Sequence, residues 1–168
     1  MHRHRLLFLL HAKHLHGIHS PFVFKLLKNA FENPEINTKA KEFRNYLLSQ
    51  KKSGKRIRFL SGIESQTPEK NIVVIHNDRN SDVTEILRWR HRKVLVSDLM
   101  QSKNHELLTL FKDYDIIFFI DVRCNDKVFT LWEELFNLPQ VTLALDGFYD
   151  GVLFLNRPME KQYFNIRI

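Results

Sequence analysis

Three short apolar runs of this chain end in a carboxylate: "VVIHND" in Asp78, "VLVSD" in Asp98 and "FFID" in Asp121. A carboxylate at the carboxyl end of a parallel strand can accept hydrogen bonds from ribose hydroxyls or an adenine amine, or ligate a metal. Asp also occurs there for a purely structural reason, as the cap of a following helix. His76 and Arg123 flank these acids, and "LSGIES" adds Ser61 and Gly62 behind the run "RIRFL". Cys124 follows Arg123, whose charge would favour a thiolate, yet no histidine lies near it in sequence to serve as a base. The chain contains no G-x-G, no G-x-S-x-G, no Walker loop and no C-x-x-C.

Histidines form a second set. Six of the nine fall within the first nineteen residues. His11-x-x-His14 and His16-x-x-His19 have spacings that zinc accepts. Gly17 and Ser20-Pro21 interrupt any helix through them, and no acid or cysteine is nearby, so no metal site is expected.

The elements that must position these residues follow from periodicity. Leu6 to Leu10 open an apolar segment that Gly17 ends. Ser20 reads as an N-cap and Pro21 as the first helical residue, with Val23, Leu26, Leu27, Ala30 and Phe31 at helical spacing behind them. Asn33-Pro34 stops that helix, and 38–50 reads as the next one. "RIRFL" (56–60), "NIVVIH" (71–76), "KVLVS" (93–97) and "DIIFFID" (115–121) then read as strands. The last three are nearly continuous in apolar residues, as strands covered on both faces must be. Helical stretches at 81–90, 105–112 and 126–137 alternate with them, which predicts a parallel sheet with helices on its faces. "VTLALD" and "GVLFLN" are too closely linked to be parallel and predict an antiparallel hairpin, and "QYFNIRI" a closing edge strand. The expected organisation is a basic helical segment, 1–55, leading into an α/β domain, 56–168, the two forming one compact unit. Only residues 61–70 separate "RIRFL" from "NIVVIH", which is short for a parallel crossover.

A chain of 168 residues, 43% hydrophobic and with fourteen Phe, is long and apolar enough for a packed core. Its lone cysteine excludes an internal disulfide, which fits a reducing cytoplasm. The run Leu6–Leu10 is far short of a membrane span, and Lys13 and His14 close it before a signal peptide could form. The net charge of +7 is concentrated at the front, where residues 1–60 hold thirteen Lys or Arg and three Asp or Glu. Such a face favours nucleic acid or an acidic protein as partner. Phe8, Phe22, Phe24 and Phe43 interleave with the basic residues as base stacking would require, but the same spacing suits a helix core.

"HGIHSPFVFKLL" and "FRNYLLSQKKSGKRIRFLSGIES" resemble the opening region of a group of bacterial class I S-adenosylmethionine-dependent methyltransferase-like proteins. "WEELFNLPQVTLALDGFYDGVLFLNRPMEKQYFNIRI" is similar to that group's carboxyl-terminal end, a helix, an antiparallel strand pair and a closing strand. Together these stretches cover roughly half the chain. The resemblance implies a Rossmann-like fold, S-adenosyl-L-methionine as cofactor, Asp78 as a ribose-binding acid, Asp98 as an adenine-side acid and Asp121 as a substrate- or metal-side acid. Gly62 would stand in the cofactor loop. The group's E-L-G-x-x-x-G-type loop has no counterpart here, and one strand–helix unit is missing. The expectation is therefore a degenerate methyltransferase-like protein with weak or lost cofactor binding. The alternative is a non-catalytic interaction module using its basic front.

Overall fold

A computed structural model describes residues 2–32, 38–67, 71–76, 92–95 and 111–168. The chain divides into two compact units, one formed by residues 1–69 with 164–168, the other by 70–163.

The first unit is helical. Helix α1 spans His2–His11, a short 3-10 turn Leu15–Gly17, α2 Pro21–Glu32, α3 Thr38–Ser49 and α4 Gly54–Ser65. Pro21 does open α2, and the carbonyl of Ser20 accepts the first helical bond from Phe24 at 2.9 Å. The buried residues of α2 are Val23, Leu26, Leu27 and Ala30, one stripe at i, i+3, i+4 and i+7. Of the four Phe that interleave with the basic residues, Phe8 and Phe43 are buried, as a helix core requires, while Phe22 and Phe24 are half-buried.

The expected strand "RIRFL" is instead the middle of α4. Two features of the sequence favour the helix: Lys, Arg, Leu and Glu are good helix formers, and Ile57, Leu60 and Ile63 recur at helical spacing. Burial against α2 and α3 then decides the matter, since Ile57, Phe59, Leu60 and Ile63 are all core residues. This removes the problem of the short crossover, because no strand precedes residues 61–70. It also carries the helical segment past residue 55, and the division between the units falls after Glu69.

The second unit is built on a mixed sheet. Its strands are β1 Ile72–His76, β2 Arg92–Leu95, β3 Ile116–Phe119, β4 Val141–Asp146 and β5 Gly151–Leu155, and β6 Gln162–Asn165 carries the chain back into the first unit. The order is β2-β1-β3-β5-β4-β6. β1 pairs parallel with β2 and with β3, and β5 is antiparallel to both β3 and β4. The parallel middle, the terminal hairpin and the closing edge strand thus stand as the sequence predicts. β1 and β3 are buried along their whole length, which explains their uninterrupted apolar runs.

Helix α5, Asp126–Asn137, has the predicted bounds. Asn125 caps it by accepting the Val128 N–H at 3.0 Å, and Asp126 adds a favourable charge in the first turn. Its stripe of Val128, Leu131, Trp132 and Leu135 faces a core that includes Val73, Ile75, Ile117, Phe119, Ala144 and Leu153. Gly151 is glycine because a Cβ there would enter the Trp132 ring. The expected helix at 81–90 and residues 105–110 of the one expected at 105–112 lie outside the described residues, and 111–113 form a turn. Among the described residues no helix is long and apolar enough to cross a membrane.

Candidate functional site at the carboxyl edge of the sheet

From β1 the chain steps outward to β2, then returns to the other side of β1 to form β3. That reversal creates a topological switch point between β1 and β3, the place where open α/β sheets form a ligand crevice. The two strand ends are held together there, with the Ile120 N–H donating to the Ile75 carbonyl at 2.9 Å. His76 is buried at the end of β1, and Asp121 is half-buried just past β3.

Asp121 adopts a left-handed backbone conformation, with φ 59°. Asp tolerates this region better than most residues. The turn re-aims the chain so that the Asp121 N–H donates to the buried Asp150 carboxylate at 3.0 Å and the Val122 N–H to the Tyr149 carbonyl at 2.8 Å. The loop after β3 is thereby laced to the β4–β5 turn.

Arg123 strengthens that lacing. Its guanidinium makes a two-pronged pair with Asp146, Nη1 to Oδ1 at 2.8 Å and Nη2 to Oδ2 at 2.7 Å. Nη1 also donates to the Phe148 carbonyl at 2.7 Å, and the group stacks over the Phe129 and Phe148 rings at 4.5 and 4.9 Å. This planar, forked fit is specific to arginine. Phe148 is itself left-handed, φ 71°, an uncommon state for a bulky residue. Its N–H donates to Asp146 at 2.8 Å, its carbonyl accepts from Arg123 and its ring lies under the guanidinium, so three contacts offset the strain.

Asp146 is fully buried and also accepts the Tyr163 hydroxyl. Burial pulls the Arg123 pKa down, but the bond and charge of Asp146 outweigh this and leave it raised. Burial, then the Asp146 charge and hydrogen bond, push the Tyr163 phenol well above its ordinary value, while Trp132 and Arg123 pull it only part of the way back. The ring of Tyr163 is 39% exposed, yet its hydroxyl ends on a carboxylate with no exposure at all, so the upward direction follows from the hydroxyl's own surroundings.

No protein-family model, curated protein or solved structure matches the chain. The site therefore rests on its own geometry. Of the residues singled out from sequence, Asp121 and Arg123 do come together at one rim of the sheet. Asp78 and Asp98 lie outside the described residues. Gly62 and Ser61 are not at a strand end. Both are buried inside α4, where the Ser61 hydroxyl donates to the Ile57 carbonyl at 2.7 Å. A Cβ on Gly62 would sit 2.5 Å from the Ala30 carbonyl oxygen, so this glycine permits close packing of α4 on α2. The reason for placing it in a cofactor loop is gone. Cys124 is exposed, and the neighbouring guanidinium is committed to Asp146. No cluster of three metal-ligating side chains occurs among the described residues.

Asp146, Asp150 and Tyr163 carry much of this rim and were not marked by the sequence reading. The available signal was "LDGFYDG", an acid ending an apolar strand and a second acid four residues on. Its partner Arg123 is 23 residues away, and no local pattern joins them.

Proposed function

We propose that the sheet unit is a methyltransferase-like domain in which binding of S-adenosyl-L-methionine is weak or lost. The observation that carries this reading is the switch point between β1 and β3, combined with the absence of any glycine from residue 63 to residue 146. The strand order supports the resemblance of the chain's two ends to class I methyltransferase-like proteins, with the antiparallel β5 inserted beside the parallel strands. A nucleotide-type cofactor needs glycine where backbone must approach it closely, and none of the three parallel strands is followed by one. Methyl transfer itself asks little acid–base chemistry of a protein and depends on positioning and exclusion of water. Losing the positioning loop therefore removes most of the catalytic contribution. Asp121 is half-buried just past β3, and the resemblance assigns it the substrate- or metal-side role.

Isothermal calorimetry with S-adenosylmethionine and S-adenosylhomocysteine tests the proposal. The expected affinity is weaker than about 1 mM, equivalent to less than about 4 kcal/mol. Micromolar binding of either compound would overturn the loss of cofactor.

A second reading, an interaction module that uses the basic front, is favoured by the exposed Lys25, Lys28, Lys41, Arg44, Lys51, Lys55 and Arg58 of the helical unit. A fluorescence titration with single-stranded RNA discriminates it: phosphate contacts require affinity to fall steeply as salt rises.

A further inference from the structure

The helical unit contains a cavity of about 220 Å³ that neither the sequence reading nor the sheet-edge site accounts for. Its apolar walls include Ile18, Leu27 and Phe31 from the turn and α2, and Ile166 from the carboxyl-terminal segment. Ile18, Leu27 and Ile166 are buried. At the same cavity stand Lys55 and Arg58 of α4 and Arg167, with His14. All of these residues belong to the first unit.

No Asp or Glu side chain lines the cavity, and the one carboxylate at it is the main-chain group of Ile168. Lys55 and Arg58 make no ion pair among the described residues. Arg167 is held in place, but by uncharged acceptors: Nη2 donates to the Leu9 carbonyl at 2.7 Å and Nη1 to His14 Nε2 at 3.0 Å. Arginine has no acceptor atom, so His14 must present Nε2 as an unprotonated nitrogen in this bond. The hydrogen bonds orient the Arg167 charge without neutralising it. Three cations converge on one concave site where the only carboxylate is the main-chain one of Ile168, so positive charge is in excess and an anionic ligand would relieve the remaining repulsion. The apolar walls would at the same time bury a short hydrocarbon body, worth about 0.8 kcal/mol per methylene removed from water. The volume lies below the usual range for drug-sized ligands, about 300–1,000 Å³, so the occupant is small.

We infer that this cavity is a binding site for a small amphipathic anion, a carboxylate or phosphate head on a short apolar body. The head is met by Lys55, Arg58 and Arg167, and the body by Ile18, Leu27, Phe31 and Ile166. The site is independent of the methyltransferase-like reading and stands if cofactor binding is found or excluded.

Calorimetric titration of the full chain with octanoate, octyl phosphate, inorganic phosphate and 1-octanol tests it. Octanoate, octyl phosphate or both should bind with a dissociation constant below about 1 mM. Whichever is tighter assigns the source, a free fatty acid or a phosphate ester. Inorganic phosphate and 1-octanol should each bind at least tenfold more weakly, since each satisfies half of the site. The exposed pair Lys55→Ala/Arg58→Ala should weaken the tighter ligand at least tenfold with thermal unfolding unchanged, and Arg58→Lys should restore part of it. The inference is overturned if neither octyl compound saturates, if inorganic phosphate or 1-octanol binds as well as they do, or if the double variant binds unchanged.

Discussion

The two units treat charge in opposite ways. In the helical unit, Lys25, Lys28, Lys41, Arg44, Lys55 and Arg58 are all exposed, the last two at the cavity, and the buried residues of α2 are apolar. In the sheet unit, Asp146 and Asp150 have no exposure and are tied to Arg123, Tyr163 and backbone N–H groups. Surface charges of the first kind contribute little to folding and are free to meet a partner. Buried ones of the second kind are costly to isolate, and hold a particular geometry only while every partner is present. The difference agrees with the proposed binding by the helical unit and gives the rim of the sheet a fixed geometry.

Removing one member of the buried pair should give the largest effect. Asp146→Ala leaves Arg123 without its carboxylate and should destabilise the protein by about 3–5 kcal/mol. Urea unfolding of this variant beside the double variant Arg123→Met/Asp146→Leu sharpens the contrast. The double variant should be the more stable of the two, because no charge is left buried alone.

A packing change in the helical unit should cost less. Gly62→Ala drives a methyl group into the Ala30 carbonyl and Cβ, at 2.5 and 2.9 Å, and should cost about 1–3 kcal/mol. The midpoint of denaturant unfolding reads it directly. A neutral outcome would mean that α2 and α4 separate easily, contrary to their close approach here.

Tyr163 provides a test by pH. Its phenol is raised above the ordinary value of about 10, so the folded state favours the protonated form. That contribution is fully present below about pH 10 and is lost as pH rises beyond it. Wild-type stability should therefore fall more steeply between pH 10 and pH 11.5 than that of Tyr163→Phe, followed by chemical denaturation at each pH. At pH 8 the Tyr163→Phe variant should be less stable by about 1–2 kcal/mol, one hydrogen bond to a charged acceptor. The smallest effect is expected at Lys25→Ala, exposed on α2, within about 0.5 kcal/mol of wild type. A larger loss would show that the charges of the helical unit are structural after all.

Much of the sheet was legible because its signals are local. Unbroken apolar runs mark β1 and β3, and "NDKVFTLWEELFN" spells cap, first-turn acid and stripe for α5 in one stretch. The misread strand failed for a physical reason. "RIRFL" is short and apolar at alternate positions, and only the neighbours that cover it, α2 and α3, distinguish a helix there. The rim was half legible. Asp121 ends a recognisable strand, while the Arg123–Asp146–Tyr163 set is assembled from three separate stretches and no spacing rule predicts it. The cavity was invisible for the same reason, since His14, Arg58 and Arg167 meet only once the chain has folded.

The ladder around Lys13 sets an order of events during synthesis. The Lys13 N–H donates to Asn165, the Arg167 N–H donates to Lys13, and the Arg167 side chain reaches Leu9, residues 158 apart. Residues 1–65 leave the ribosome first, yet their unit lacks this edge until residue 167 has been made. At roughly 5–20 residues per second, that gap lasts on the order of 5–20 s. Through that interval the nascent helices must wait with one side uncovered, while nearly every part of the sheet unit emerges and can close ahead of them.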